Sequence, residues 1–218
     1  MELGENNLSY KIKWLWKIVR HGSFLLGVRN RIAHVGIDFM PYYWLKEETK
    51  PILPPKIKDN GEDYSISYFG EDEIEIIQKR IKGIGHKNLL RNLEDGQMCV
   101  GIKKDKDIAA YMFIQTGNIN FRGKTFQLRP NEAYLKDMYT FESYRGKNIA
   151  PYLRYNAYSL LREKGIDTKY SISEAFNRPT IRFKKKLNSE HLELYLSIKL
   201  FKRYQWTIKL RGLTDSNK

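Results

Sequence analysis

The chain has 218 residues, 41% of them hydrophobic, enough for one domain of ordinary size with a real core, alone or with an extension. Its formal net charge of +14 points to an anionic partner (nucleic acid, anionic lipid or a phosphate-rich ligand) unless the surface is simply basic. A single cysteine, Cys99, excludes an intrachain disulfide framework, and His21, His34, His86 and His191 show no metal-ligand spacing, so no metal is expected.

The N-terminus opens on acidic and polar residues and lacks the continuous apolar core of a signal peptide. No run approaches the ~18 apolar residues of a spanning helix, so a cytoplasmic protein is expected. In residues 8–36, Ile12, Leu15, Ile18 and Val19, then Leu25, Val28 and Ile32, recur at helical spacing, with Gly22 between the two sets. Residues 1–45 therefore read as a basic amphipathic helical extension. It either packs on protein, its own domain or a second copy in a homodimer, or lies through residues 8–36 on an anionic membrane surface at the inner face. Residues 46–63 hold three prolines and many charges and read as a linker; a domain over 64–212 and a tail over 213–218 follow.

In that domain, Tyr64–Phe69 reads as a strand, and "EDEIEIIQKRIKG" as a helix with Ile74, Ile77 and Ile81 on one face. "HKNLLRNLEDG" is a second short helix. "QMCVGIKKDKDIAAYMFIQ" is a hairpin turning at Lys104–Asp107, with Cys99 as a buried, inert thiol, and "INFRGKTFQL" is another hairpin. Glu132–Phe141 is a strand. Asn148–Lys164 is a helix that carries Ile149, Leu153, Ala157 and Leu160 on one face and stops at Gly165. "KYSIS" (strand), "NRPTIRFKKKLN" (helix) and the alternating pair "LELYLSIKL" and "YQWTIKL" close the chain. This order specifies an α/β (α+β) sheet domain with a helical crossover at 148–164.

The stretch "SYRGKNIA", between a strand and a helix, is where chemistry concentrates. The first amides of a helix lack intrahelical acceptors and sit at the positive end of its dipole, so phosphates bind there. Gly146 lets the backbone approach a ligand, Asn148 can adopt a left-handed backbone or cap the helix, and Arg145 and Lys147 add charge. The loop is neither a Walker loop nor a dinucleotide fingerprint; taken alone it could equally be a plain basic turn.

Residues 64–210 resemble the GNAT superfamily of acyl-CoA-dependent N-acyltransferases. The resemblance rests on the Arg145-Gly-Lys-Asn148-Ile-Ala150 loop after a strand, and on Asn177, Thr180 and "KKLNS" at Lys185–Ser189 after the next strand. It implies a GNAT-like mixed, mostly antiparallel sheet flanked by helices, with acetyl-CoA or another acyl-CoA as co-substrate. The amides of Gly146, Lys147, Asn148, Ile149 and Ala150 would then hold the pyrophosphate, with Arg145 and Lys147 supporting the charge. Met138, Tyr139 and Thr140 would align the pantetheine arm and polarise the thioester, and Asn177 would contact the arm. Asn148 departs from the family's glycine, and Pro151 removes one amide of the first turn. The position that is often a tyrosine general acid falls on Lys184, so that role is not carried over.

A base is needed for an ammonium acceptor, and Glu132 or Asp137 is the candidate. The expected acceptor is a small-molecule amine, with an amino sugar of envelope polysaccharide in view because family members with basic N-terminal extensions look like this chain in outline. The alternative is a basic nucleic-acid- or membrane-binding protein on the same scaffold; no RNA-binding signature supports a nucleic-acid partner.

Overall fold

The computed structural model describes residues 24–58, 64–81, 88–201 and 203–213; residues 1–23 of the expected extension and 214–218 of the expected tail lie outside them. Helix α1 (Phe24–His34) leads through Gly36 into β1 (Ile37–Lys46), on which it packs. Then come β2 (Tyr64–Phe69), α2 (Glu71–Arg80), α3 (Leu89–Glu94), β3 (Met98–Lys104) and β4 (Asp107–Thr116). A small hairpin, β5 (Ile119–Phe121) and β6 (Lys124–Phe126), precedes β7 (Glu132–Thr140). The chain finishes with α4 (Ile149–Glu163), β8 (Thr168–Glu174), α5 (Arg178–Lys186), β9 (Glu190–Leu200) and β10 (Tyr204–Gly212).

Eight strands form one sheet in the order β10-β9-β1-β8-β7-β4-β3-β2, antiparallel except for the β7–β8 pair. The elements expected within the described residues are present, but residues 37–45, assigned to the helical extension, form a strand inside the sheet. β1 pairs with β9 along its whole length and with β8 from Tyr42 onward. Pro41, which lacks an N–H for a ladder, sits just before the β8 pairing begins, and its carbonyl accepts from Ala175 N–H at 2.8 Å.

Alternation along β3 and β4 divides the core. Val100, Ile102, Ala110, Met112 and Ile114 face α4, which buries Ile149, Leu153, Ala157 and Leu161 against them. Each large aliphatic side chain buried there contributes roughly 1.5–3 kcal/mol. Cys99, Tyr111 and Phe113 face the other way, onto Ile74 and Ile77 of α2 and Leu89 of α3. Helix α2 starts on an acidic turn whose Glu73 carboxylate accepts from Gly70 N–H at 2.9 Å, and it ends at Lys79 and Arg80, each end matching the dipole. A third cluster lies between the β5–β6 hairpin and β1, where Trp44 stacks on Phe126 at 4.2 Å.

Residues 47–58, read from sequence as linker, are bound to the domain. Thr49 N–H donates to Asn188 O (3.0 Å) and Lys58 N–H to Lys147 O (2.9 Å). Glu47 is fully enclosed. Asn188 adopts φ 51° after α5, a left-handed helix stop.

Candidate active site

Strands β7 and β8 are paired only at Glu132–Thr168, Ala133–Lys169 and Tyr134–Tyr170. Beyond Tyr134 the two strands part. The cause is visible on the other side of β7: Tyr111 of β4 opposes Tyr139, but Phe113 opposes Lys136, so β7 carries one extra residue. That bulge contains Asp137, whose φ is +47°. The parted strands open a cleft of about 880 Å³. Its walls are residues 134–140 of β7, Ile172, Ser173 and Glu174 of β8, Arg145 and Ala150 of the following loop and helix, Arg154 of α4, and Asn177, Thr180, Phe183 and Lys184 at α5.

The loop after β7 turns through a short 3-10 segment (Glu142–Tyr144), then Gly146 at φ +80° and Asn148 at φ 65°, ψ 19°. Only glycine and, at modest cost, asparagine accept such angles routinely. Asn148 is fixed further by its Nδ2 donating to Lys56 O at 2.7 Å. Among the described residues no backbone carbonyl accepts from the amides of Gly146, Asn148, Ile149 or Ala150. A side chain at Gly146 would meet nothing within 4 Å, so this face of the loop is open to an incoming group. An anion with several oxygens fits such a helix start. Arg145 folds back over the strand end: its Nε donates to Thr140 O (3.1 Å), its Nη2 to the Tyr139 hydroxyl (3.4 Å), and the guanidinium lies over the Tyr139 ring.

Met138, Tyr139, Thr140, Arg145, Ala150 and Asn177 thus line the cleft with Asp137, while Gly146, Lys147, Asn148 and Ile149 form the loop and helix start beside it. Asn177 also caps α5, its Oδ1 accepting from Thr180 N–H at 3.3 Å. Glu132 lies apart from these residues. It lies at the paired end of β7, accepting from Arg129 N–H (2.9 Å) and the Tyr170 hydroxyl (3.3 Å), in a separate pocket with Lys46 and Thr168. Cys99 is buried, and that burial pushes its thiol well up.

Sequence reasoning missed the buried polar cluster at the cleft floor. The Glu47 carboxylate accepts from Arg154 Nη2 (2.7 Å), the Tyr158 hydroxyl (2.5 Å) and Ser171 Oγ. Lys184 donates to Ser171 Oγ (2.7 Å) and Ile172 O (3.0 Å), with Nζ 3.8 Å from Glu47. Burial pushes Glu47 up, but the charges of Arg154 and Lys184 outweigh it and hold the carboxyl at about 2. Burial presses Lys184 down to about 7, with Glu47 pulling it up only in part. The one available signal was Arg154 itself, set among Ala157, Tyr158 and Leu161 on the apolar stripe of α4.

At the opposite end of the cleft, Glu174 pairs with Arg29 of α1 at 3.3 Å. Arg29 and Arg122 both grip Asp38, at 2.6 and 2.8 Å. Burial raises the Asp38 carboxyl, but the two arginines more than offset it and hold it low.

A sheet split beside a bulged strand is followed here by a helix start whose first amides are open, a geometry that can accommodate an anion. Residues 59–188 match the Acetyltransferase (GNAT) family, and the chain belongs to that family. Among solved structures, an acetyltransferase of the GNAT family from Novosphingobium aromaticivorans superposes with a TM-score of 0.51 at 19% identity, covering 76% of this chain and 66% of that one. A GNAT-family acetyltransferase from Colwellia psychrerythraea gives 0.55 at 13% identity, covering 76% and 58%. Both likenesses are of fold, and the chain spans roughly three-fifths to two-thirds of the length of these proteins. No curated protein matches the sequence. No helix among the described residues is long and apolar enough to cross a membrane.

Proposed function

We propose that the chain transfers an acetyl group from acetyl-CoA to a primary amine, by direct attack of the amine on the thioester. The observation that carries this reading is the conjunction of parted strands with the open helix start at Gly146–Ala150. The thioester supplies an activated acyl group with a good leaving group. Toward it, the amides of the loop and helix start would hold the pyrophosphate. The main chain at Met138–Thr140 would align the arm, with an amide there set to accept the developing oxyanion. Holding both substrates in line is worth up to roughly 7–11 kcal/mol of the barrier. Asp137, in the bulge and 3.3 Å from Lys136 Nζ, would take the proton from the ammonium, directly or through one water.

The acceptor end of the cleft supports an amino sugar. Phe121 and Tyr134 offer aromatic faces, and Gln115, Asn120 and Glu174 offer amide and carboxylate groups for ring hydroxyls and an ammonium. The test is release of the CoA thiol from acetyl-CoA across a panel of amino sugars, amino acids and polyamines. Acetylation of an amino sugar with the highest kcat/KM is the expected result. No release with any acceptor overturns the transferase reading, and preference for polyamines overturns the sugar.

A further inference from the structure

At the β1–β9–β10 end of the sheet, one face is apolar and open. Residues opposite one another in antiparallel strands point to the same side. Phe39, Ile198 and Trp206 form one such row, and Pro41, Leu196 and Ile208 form the next. Phe39, Trp206 and Ile208 all remain about half exposed. The carboxylates of these strands, Asp38, Glu190 and Glu193, oppose Lys199, Lys46 and Trp44, so by alternation they lie on the other side. There Asp38 is held by Arg29 and Arg122, and Glu193 by Lys209.

This face ends at a tip where apolar exposure is greater still. Phe201 N–H donates to Gly36 O at 2.7 Å, which joins the β9–β10 turn to the turn between α1 and β1. Beside that bond, Val35 and Phe201 are 73% and 72% exposed. Phe201 also holds φ 51°. Glycine or asparagine takes that backbone at low cost, and a bulky ring does not. A strained backbone that holds an aromatic ring out in solvent gains little within the molecule. Its return must come from something the ring touches outside it.

Charge selects the occupant. Arg203 is exposed in the tip, and Arg211, also exposed, opposes Leu194 at the far end of the face. A second copy would bring further cations to this face and no acid to meet them. An anionic bilayer answers both parts, with phosphates for the arginines and hydrocarbon for the rings. Tyr204 and Trp206, stacked at 6.1 Å on this face, are the residue types that settle at headgroup level. We infer that the chain docks on an anionic lipid bilayer through this face and tip, with Val35 and Phe201 entering the headgroup layer and Arg203 and Arg211 holding lipid phosphates. The surface is built by strands and turns, not by the helical period of the N-terminal residues. It also has a direction. Tyr42 opposes Glu174, and β1 runs back from there to Ile37, so the tip lies at the end of the sheet where β8 ends and the cleft opens. None of the docking residues lines the cleft, and the inference stands apart from the acyl-CoA reading.

The test is flotation of the full chain with vesicles of phosphatidylcholine alone and of phosphatidylcholine mixed two to one with phosphatidylserine. Three variants run beside the wild type: Phe201→Asn, Trp206→Thr, and Arg203→Glu combined with Arg211→Glu. Asparagine suits φ 51° and threonine suits a strand, so these variants should fold, and Phe201→Asn should melt no lower than the wild type. All three should keep the wild type's response to CoA. The wild type is expected to float with the anionic vesicles and not with phosphatidylcholine alone. Each variant should need at least about tenfold more anionic lipid for half-maximal binding. A wild type that does not float, equal flotation with neutral vesicles, or unchanged flotation of any of the three variants overturns the inference. So does a wild-type dimer in sedimentation velocity that Trp206→Thr dissociates, which gives the face to a second copy. Failure of the wild type to bind CoA removes the acyl-CoA reading and leaves the docking standing.

Discussion

Replacing Lys184 with methionine should make the protein more stable at neutral and acidic pH. The unfolded lysine titrates at its model value of 10.5 and the folded one at about 7. Below pH 7 the proton on this fully buried group therefore disfavours folding, by about 5 kcal/mol at about 1.4 kcal/mol per pH unit of difference. Between pH 7 and 10.5 the unfolded chain holds the proton and the folded chain does not, so the wild type gains stability as pH rises through that window. Methionine removes the charge and roughly preserves the volume. It also removes the bonds Lys184 gives to Ser171 Oγ and Ile172 O, which costs about 1–3 kcal/mol. The balance is a gain of about 2–4 kcal/mol at pH 6, or about 4–16 °C in Tm for a chain of this size. At pH 10 the gain should be gone. Urea denaturation of both proteins at pH 6, 8 and 10 measures this directly. A variant less stable than wild type at pH 6, or a difference that does not change with pH, would refute the charge arithmetic of the cleft floor.

Glu47 should show the opposite pH window. Its folded carboxyl at about 2 against a model value of 4.5 is stability present above pH 4.5 and lost as pH falls toward 2, about 3 kcal/mol in acid denaturation. Glu47→Gln should lack that acid-dependent loss while starting about 3–5 kcal/mol less stable at pH 6, because Arg154 is left buried and uncompensated. Gly101→Ala places a methyl 1.8 Å from the Phe69 ring, and chemical denaturation should register about 1–3 kcal/mol of destabilisation. Asn148→Gly should retain CoA-induced thermal stabilisation. Asn148→Val, forced to φ 65° with a β-branched side chain and deprived of its bond to Lys56 O, should lose most of it, at a backbone cost of about 1–2 kcal/mol.

The parts of this molecule legible in the sequence are those specified locally. The Arg145–Ala150 turn and the left-handed Asn148 announce themselves by residue type and by position next to an apolar period. β1 was hidden because Pro41 interrupts its run; a proline argues against an interior strand unless the neighbouring ladder starts just past it, which only the sheet reveals. The Asp137 bulge has no signature in "AYLKDMY", since an aspartate at positive φ looks like any solvated carboxylate until the register with β4 is known. The same register separates Asp137 from Glu132: two acids five residues apart on one strand lie on opposite sides of the point where β7 and β8 part. Glu47 sits in a stretch rich in charge and proline that reads as solvent-exposed. Its burial depends on partners 107 to 124 residues away.

The central claim is that the loop and helix start beside the split sheet hold an acyl-CoA. Isothermal titration of the full chain with acetyl-CoA, beside Arg145→Glu, tests it most directly. Arg145 is exposed in its contacts to Thr140 and Tyr139, so reversing its charge should leave the fold intact while opposing the ligand's phosphates. The account predicts one saturable site per chain in the wild type and at least about tenfold weaker binding in the variant, a difference of about 1.4 kcal/mol. Absence of binding in the wild type, or equal affinity in the two proteins, would contradict it.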